Sequence, residues 1–247
     1  MKNLKEYIVE GIFDVDDNID NVDDSVRRDQ IKRFLKDKFD GASSCKISDK
    51  PNKDGKYEVS SSKDIKAKNK KITSLTNGMF IWTEVGGRFY CYDCELLKSL
   101  EGAPEKVGGT FDCNNCSSLT SLEGAPKTVG ESFNCCNCKS LTSLKGAPKE
   151  IGGDFYCCNC KSLTSLKGAP KEVGGNFSCW SCKSLTSLKG VPEKVNGHFE
   201  CGFCISLTSL EGAPKEVGND FYCSDCRIAF TTDDVKKVSN VKGKIKV

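Results

Sequence analysis

Segment 155–190 carries two C-x-x-C pairs, Cys157/Cys160 and Cys179/Cys182, with eighteen residues between them. Four thiolates at that spacing could hold a tetrahedral zinc ion. The same pairs could close disulfides or cycle between thiol and disulfide. The third reading is that they are packing residues, because a free cysteine behaves as a small buried hydrophobe. The chain has 17 cysteines, so this choice governs most of its chemistry.

The wider pattern favours packing. Phe89, Phe111, Phe133, Phe155, Phe177, Phe199 and Phe221 recur every 22 residues, and Leu97 and Leu100 begin two further series with the same step. The consensus is L-T-S-L-x-G-A-P-x-x-V-G-G-x-F-x-C-x-x-C-x-S, giving seven C-x-x-C pairs from Cys91/Cys94 to Cys223/Cys226. A 22-residue unit cannot bury a core alone, but stacked copies can. Phe and the first Cys lie two apart, so both face inward from one short strand. Seven pairs do not divide into two-pair zinc sites, and every coil has the same neighbours. Cys136 and Cys158 stand inside their pairs, face outward, and are the expected reactive thiols. Cys45 is an isolated strand residue. No cofactor is expected.

The elements follow from this period. Each coil is expected to hold two short parallel strands, Phe-x-Cys and L-T-S-L, with Gly-Ala-Pro and Gly-Gly at the corners. Coils then stack at about 4.8 Å. A shortened coil precedes them at residues 64–75. Exposed sheet edges need caps. Residues 25–40 place Ile31, Phe34, Leu35 and Phe39 on one helical face, with Asp23, Asp24 and Ser25 at its start and Gly41 at its end. Residues 44–61 read as two strands around a Pro/Gly loop. The chain is therefore expected to be mainly β. Residues 25–70 form an α+β cap, 71–226 a leucine-rich-repeat or β-solenoid of about seven coils, and 227–247 a C-terminal cap with a short helix and a last strand. Residues 11–24 form an acidic linker.

The repeat resembles leucine-rich repeats of the BspA-like kind. For one coil the matching residues are Cys160, Ser162, Leu163, Leu166, Pro170, Val173, Gly174 and Phe177. The resemblance implies a binding surface rather than an enzyme. It does not fix the partner, since function resides in sites and not in folds. A surface adhesin of that kind would require a secretory signal. The first residues, "MKNLKEYIVEG", carry charges inside the apolar stretch and lack that pattern. Thiols in the cytosol stay reduced, which argues against disulfides.

Those eleven residues instead resemble the capsid-targeting peptide of internal head proteins in T-even-like phages. The match lies in Met1, Lys2, Glu6, Tyr7, Ile8, Glu10 and Gly11. It implies docking on the phage capsid scaffold through residues 1–10 and cleavage between Glu10 and Gly11. It also implies a location inside the virion head and then in the host cytoplasm. Cutting there removes Lys2 and Lys5 with Glu6 and Glu10, so the net charge stays at +3. Nucleic acid is thus not the expected partner, because its binders show a large basic excess. No apolar run reaches the ~18 residues of a membrane span.

Other candidates reduce to ordinary roles. His198, the one histidine, occupies a corner position shared with Thr110, Ser132, Asp154, Asn176 and Asp220, with no nucleophile–base constellation around it. No enzyme activity is expected. "DVDDNID" (14–20) begins like a calcium loop, but Ile19 and Ser25 stand where glycine and glutamate are required.

Surface residues give the binding hypothesis. Lys139, Lys161 and Lys183 form one row, and Lys145, Lys167 and Lys189 a neighbouring one. Stacked like charges cost stability, so the rows suit an acidic protein. Tyr90, Tyr156, Tyr222, Trp180 and Phe203 are the candidate aromatic anchors. The expected function is protein binding, by a virion-packaged protein delivered into the host. The alternatives are a non-packaged cytosolic interaction protein of the same fold and a metal- or redox-active cysteine-rich protein.

Overall fold

A computed structural model describes residues 23–67 and 71–247. The targeting peptide with Glu10 and Gly11, the acidic run at 14–20 and most of the expected linker lie outside the described residues.

Helix α1 (Asp24–Lys38) opens the fold, with the Asp23 side chain accepting from the Ser25 backbone N–H at its start and Lys36 and Lys38 in its last turn. That arrangement satisfies a free donor and complements the helix dipole. Ile31 and Leu35 bury its inner face. Phe39 is also buried but has already left the helix for strand β1 (Phe39–Asp40). Strands β2 (Cys45–Ile47) and β3 (Tyr57–Ser61) pair antiparallel around the expected Pro/Gly loop. Strand β4 (Ile65–Ala67) pairs antiparallel with β1 on one side and parallel with Phe89–Tyr90 on the other. The cap therefore continues directly into the stack.

The stack is a parallel β-solenoid with eight coils between β1 and the last strand, Ile245–Lys246, of one ten-stranded sheet. Its register is strict: Phe155 lies opposite Phe133 and Phe177, and Tyr156 opposite Asn134 and Ser178. An in-register parallel ladder places each residue about 4.8 Å from its equivalent in the next coil. The phenyl rings of Phe89 to Phe199 therefore stack, with centroids 5.2–5.8 Å apart and nearly parallel planes. Behind them the paired leucines and most of the paired cysteines are buried in one continuous core.

The second strand is not L-T-S-L. It is the dipeptide ending in the valine before Gly-Gly, such as Lys106–Val107 or Glu172–Val173. The reason is the leucine spacing. Leu163 and Leu166 are both buried although three residues apart, whereas a strand brings residues two apart to one face. The segment turns locally instead, with Leu163 N–H bonded to Cys160 O at 3.0 Å. The valine-side strands form two sheets, of six and four strands, meeting between Ile151 and Val173.

At the far end Thr231 and Asp234 form a reciprocal capping box on helix α2 (Thr232–Val238), which buries Val235. Asn240–Val241 then closes the four-stranded sheet and Ile245–Lys246 the ten-stranded one. Among the described residues no helix is long and apolar enough to cross a membrane.

Candidate functional site

The C-x-x-C turn forms one corner of every coil. Its first cysteine points inward and is fully buried, or nearly so, in each copy. The second cysteine has a specific task. Cys116, Cys138, Cys160, Cys182 and Cys204 each donate their S–H to the carbonyl of the first cysteine one coil earlier, at 3.1–3.3 Å. Cys226 does the same at the last coil. A buried carbonyl left unpaired is costly, and here a thiol small enough for the core satisfies it. Burial holds the Cys157 and Cys201 thiols well above the ordinary range. The sulfurs are thus engaged one by one. Among the described residues no three His, Cys, Asp or Glu side chains converge as a metal site requires.

The second residue between the cysteines takes a left-handed backbone in all seven pairs, with φ from 53° to 59°. Asp93, Asn115, Asn137, Asn159 and Asp225 suit this conformation, because short polar side chains tolerate it. They also hold one another: Asn115 Nδ2 donates to Asp93 Oδ1 at 2.8 Å, and Asn159 Nδ2 to Asn137 Oδ1 at 2.6 Å. Ser181 and Phe203 break the pattern. Phe203 is a bulky residue held left-handed at φ 57° and 42% exposed.

Phe203 belongs to an apolar patch. Its ring packs on Trp180 at a centroid distance of 4.9 Å. Trp180 folds over Gly202, where an added Cβ would come within 2.5 Å of the indole ring. Only glycine at 202 lets the two rings meet. Ile205, two residues after Phe203, donates its backbone N–H to Phe203 O at 3.0 Å and is 50% exposed. Scattered apolar residues are normal on a surface, but a contiguous patch marks a contact site.

The two lysine rows differ. Lys145 pairs with Glu123 at 2.7 Å and Lys189 with Glu211 at 2.9 Å, leaving Lys167 between them. Lys139, Lys161 and Lys183 are exposed and make no ion pair among the described residues. Their row continues in sequence register to Ile205 and Arg227, beside the aromatic patch. The structure therefore brings Trp180 and Phe203 together, and in the sequence Lys183, the last of the Lys139–Lys161–Lys183 row, follows Trp180 by three residues. The three tyrosines have other contacts. Tyr156 donates to Asp154 at 2.7 Å and Tyr222 to Asp220 at 2.9 Å. Tyr90 packs against Tyr92. All three are half-buried and cover their own coils.

His198 is a rung of a different ladder. At its corner four successive residues each accept the backbone N–H of the equivalent residue one coil later: Ser132 from Asp154, Asp154 from Asn176, Asn176 from His198, and His198 Nδ1 from Asp220. Its role is to tie coils together. What sequence reasoning missed was Ile205, Gly202 and the difference between the lysine rows. The first two could have been found as departures from the repeat consensus. The third depends on which carboxylates stand one coil away.

Comparisons with family models, curated proteins and solved structures return no match for this chain.

Proposed function

We propose that this chain is a protein-binding solenoid whose contact surface is the corner around Trp180, Phe203 and Ile205, with the Lys139–Lys161–Lys183 row receiving an acidic segment of the partner. The observation that carries this reading is Phe203. A left-handed bulky residue costs roughly 1–2 kcal/mol, and strain of this kind collects at functional sites. Five of the seven copies hold Asn or Asp at that position and avoid the cost. An exposed phenyl ring that weakens the fold is explained by what it touches outside the chain. The adjacent lysines add charge without internal neutralisation, which speeds encounter with an acidic surface.

Phe203→Asn tests this directly. It is expected to raise the unfolding free energy by about 1 kcal/mol while removing binding. The readout is capture by a photo-crosslinking residue placed at Ile205, compared with one at Thr120 on the leucine side. A captured host protein that is lost with Phe203→Asn, and weakened by Lys161→Glu, supports the proposal. Capture that persists in Phe203→Asn overturns it.

We also propose that residues 1–10 direct the chain into a phage head, on the resemblance carried by Glu6, Tyr7, Ile8 and Glu10. Mass spectrometry of virions from cells expressing this chain during infection by a T-even-like phage should show a packaged product beginning at Gly11. Virions without the chain reject packaging and leave a non-packaged interaction protein; a packaged full-length product rejects cleavage between Glu10 and Gly11.

A further inference from the structure

Two thiols stand apart from the buried ladder. Cys136 and Cys158 occupy the same corner position, the first residue inside the C-x-x-C pair, on adjacent coils. Both are partly exposed, while the cysteines flanking them are buried. The backbone registers them: Asn137 N–H donates to Cys158 O at 2.8 Å, and Cys158 N–H donates to Cys136 Sγ at 3.2 Å. The next residue in the row, Trp180, turns its ring toward Gly202 and Phe203. Neighbouring rungs of a parallel ladder are about 4.8 Å apart. That separation falls within the Cα···Cα range of roughly 4.4–6.8 Å in which a disulfide can form.

The two sulfurs are not equivalent. The Cys136 thiol hydrogen-bonds to Cys158, and with Ser178 and the Trp180 backbone it brings Cys158 down to about 7, against burial and the Glu200 carboxylate. Cys158 Sγ also lies 3.1 Å from Ser178 Oγ, which donates to Glu200 at 2.8 Å. Cys136 is pushed upward, chiefly by its hydrogen bond to Cys158. The other half-buried thiols, Cys45 and Cys226, are each pushed up to about 11 by burial. Cys204 shifts in the same direction as Cys158 but is fully buried.

We propose that Cys136 and Cys158 form a dithiol site that reacts with low-molecular-weight disulfides of the glutathione type and closes an inter-coil disulfide. The Cys158 thiolate attacks one sulfur of the disulfide, forming a mixed disulfide and releasing one thiolate. That thiolate takes the proton of Cys136. The Cys136 sulfur then attacks Cys158 Sγ and expels the second thiolate, which is protonated from solvent by the proton Cys158 first released. The dithiol is oxidised by two electrons, and one small-molecule disulfide is reduced to two thiols. The site lies one coil from Trp180, so the bond would fasten two coils beside the apolar patch.

The test uses the full chain with oxidised glutathione at neutral pH, followed by non-reducing peptide mapping. The expected product is a Cys136–Cys158 cross-link. Cys136→Ser should stop at one glutathionyl group on Cys158, and Cys158→Ser should give neither product at this corner. Emission of Trp180 in a Trp82→Phe background should fall as the bond forms and recover with reductant. In the native chain iodoacetamide should label Cys158 at least tenfold faster than Cys45 at pH 7, with the rate half-maximal near pH 7 rather than near the ordinary ~8.5. Absence of the cross-link in the native chain overturns the proposal. So does modification of Cys45 or Cys226 ahead of Cys158, or a half-maximal rate at or above pH 8.5.

Discussion

Phe155→Ala lowers the unfolding free energy by about 3–5 kcal/mol, the usual cost of emptying a buried phenyl site. Phe155 is fully buried and stacks on both sides, 5.5 Å from Phe133 and 5.2 Å from Phe177. Neither neighbour can move into the gap, because each is locked in register by its own strand. Both coil interfaces are therefore weakened at once, and nearest-neighbour interfaces are what hold a repeat stack together. Phe221→Ala provides the comparison. That ring meets one phenyl neighbour, Phe199, at a 51° tilt, and faces Ile245 on the other side. Its loss should cost less by about one aromatic pair, roughly 0.5–1.5 kcal/mol. Guanidinium unfolding of both variants, followed by tryptophan emission, measures the difference. Equal costs at the two sites would show that the stack contributes nothing beyond burial.

Gly146→Ala is expected to be nearly as damaging, although it adds a single methyl group. Gly146 has φ +90°, and a Cβ there would lie 2.4–2.6 Å from three backbone atoms of Leu122 and Glu123. Two costs combine: left-handed strain for an alanine and overpacking against backbone that cannot turn aside. Together they come to roughly 2–5 kcal/mol. Gly55 separates the two. It has φ +71° but nothing within 4 Å of a built Cβ, so Gly55→Ala should show the conformational cost alone, about 1–2 kcal/mol. If the two substitutions have the same effect, close approach of coils is not the reason for glycine at this corner. The comparison needs only thermal or denaturant melting, since neither residue lies near Trp180 or Phe203 in the sequence register.

The repeat could be read from the chain alone because its period is strict. A constant 22-residue step places equivalent residues on equivalent rungs, so inward Phe and Cys in one coil imply them in every other. The helix near 25–40 and the cap hairpin followed from local periodicity and turn residues. The second strand was misplaced because L-T-S-L looks alternating in composition, while its leucines answer to a turn with a period of three. The cysteines show where sequence reasoning ended. Their burial followed from Phe-x-Cys spacing, but the partner of each second thiol is a carbonyl one coil earlier, 25 residues back in the chain. Only the pitch and handedness of the stack select that atom.

The same division applies at the surface. The order of lysines, aromatics and odd cysteines along each row was determined by the sequence. The tertiary structure decided that Glu123 and Glu211 pair with the two ends of one lysine row and leave the other row without an ion pair among the described residues, that Trp180 reaches Phe203 across Gly202, and that Phe203 is held in a conformation suited to asparagine. These outcomes depend on distances of a few ångströms between coils and on the sign of one backbone angle. A linear pattern carries neither quantity, because both arise only when a coil is laid against its neighbours.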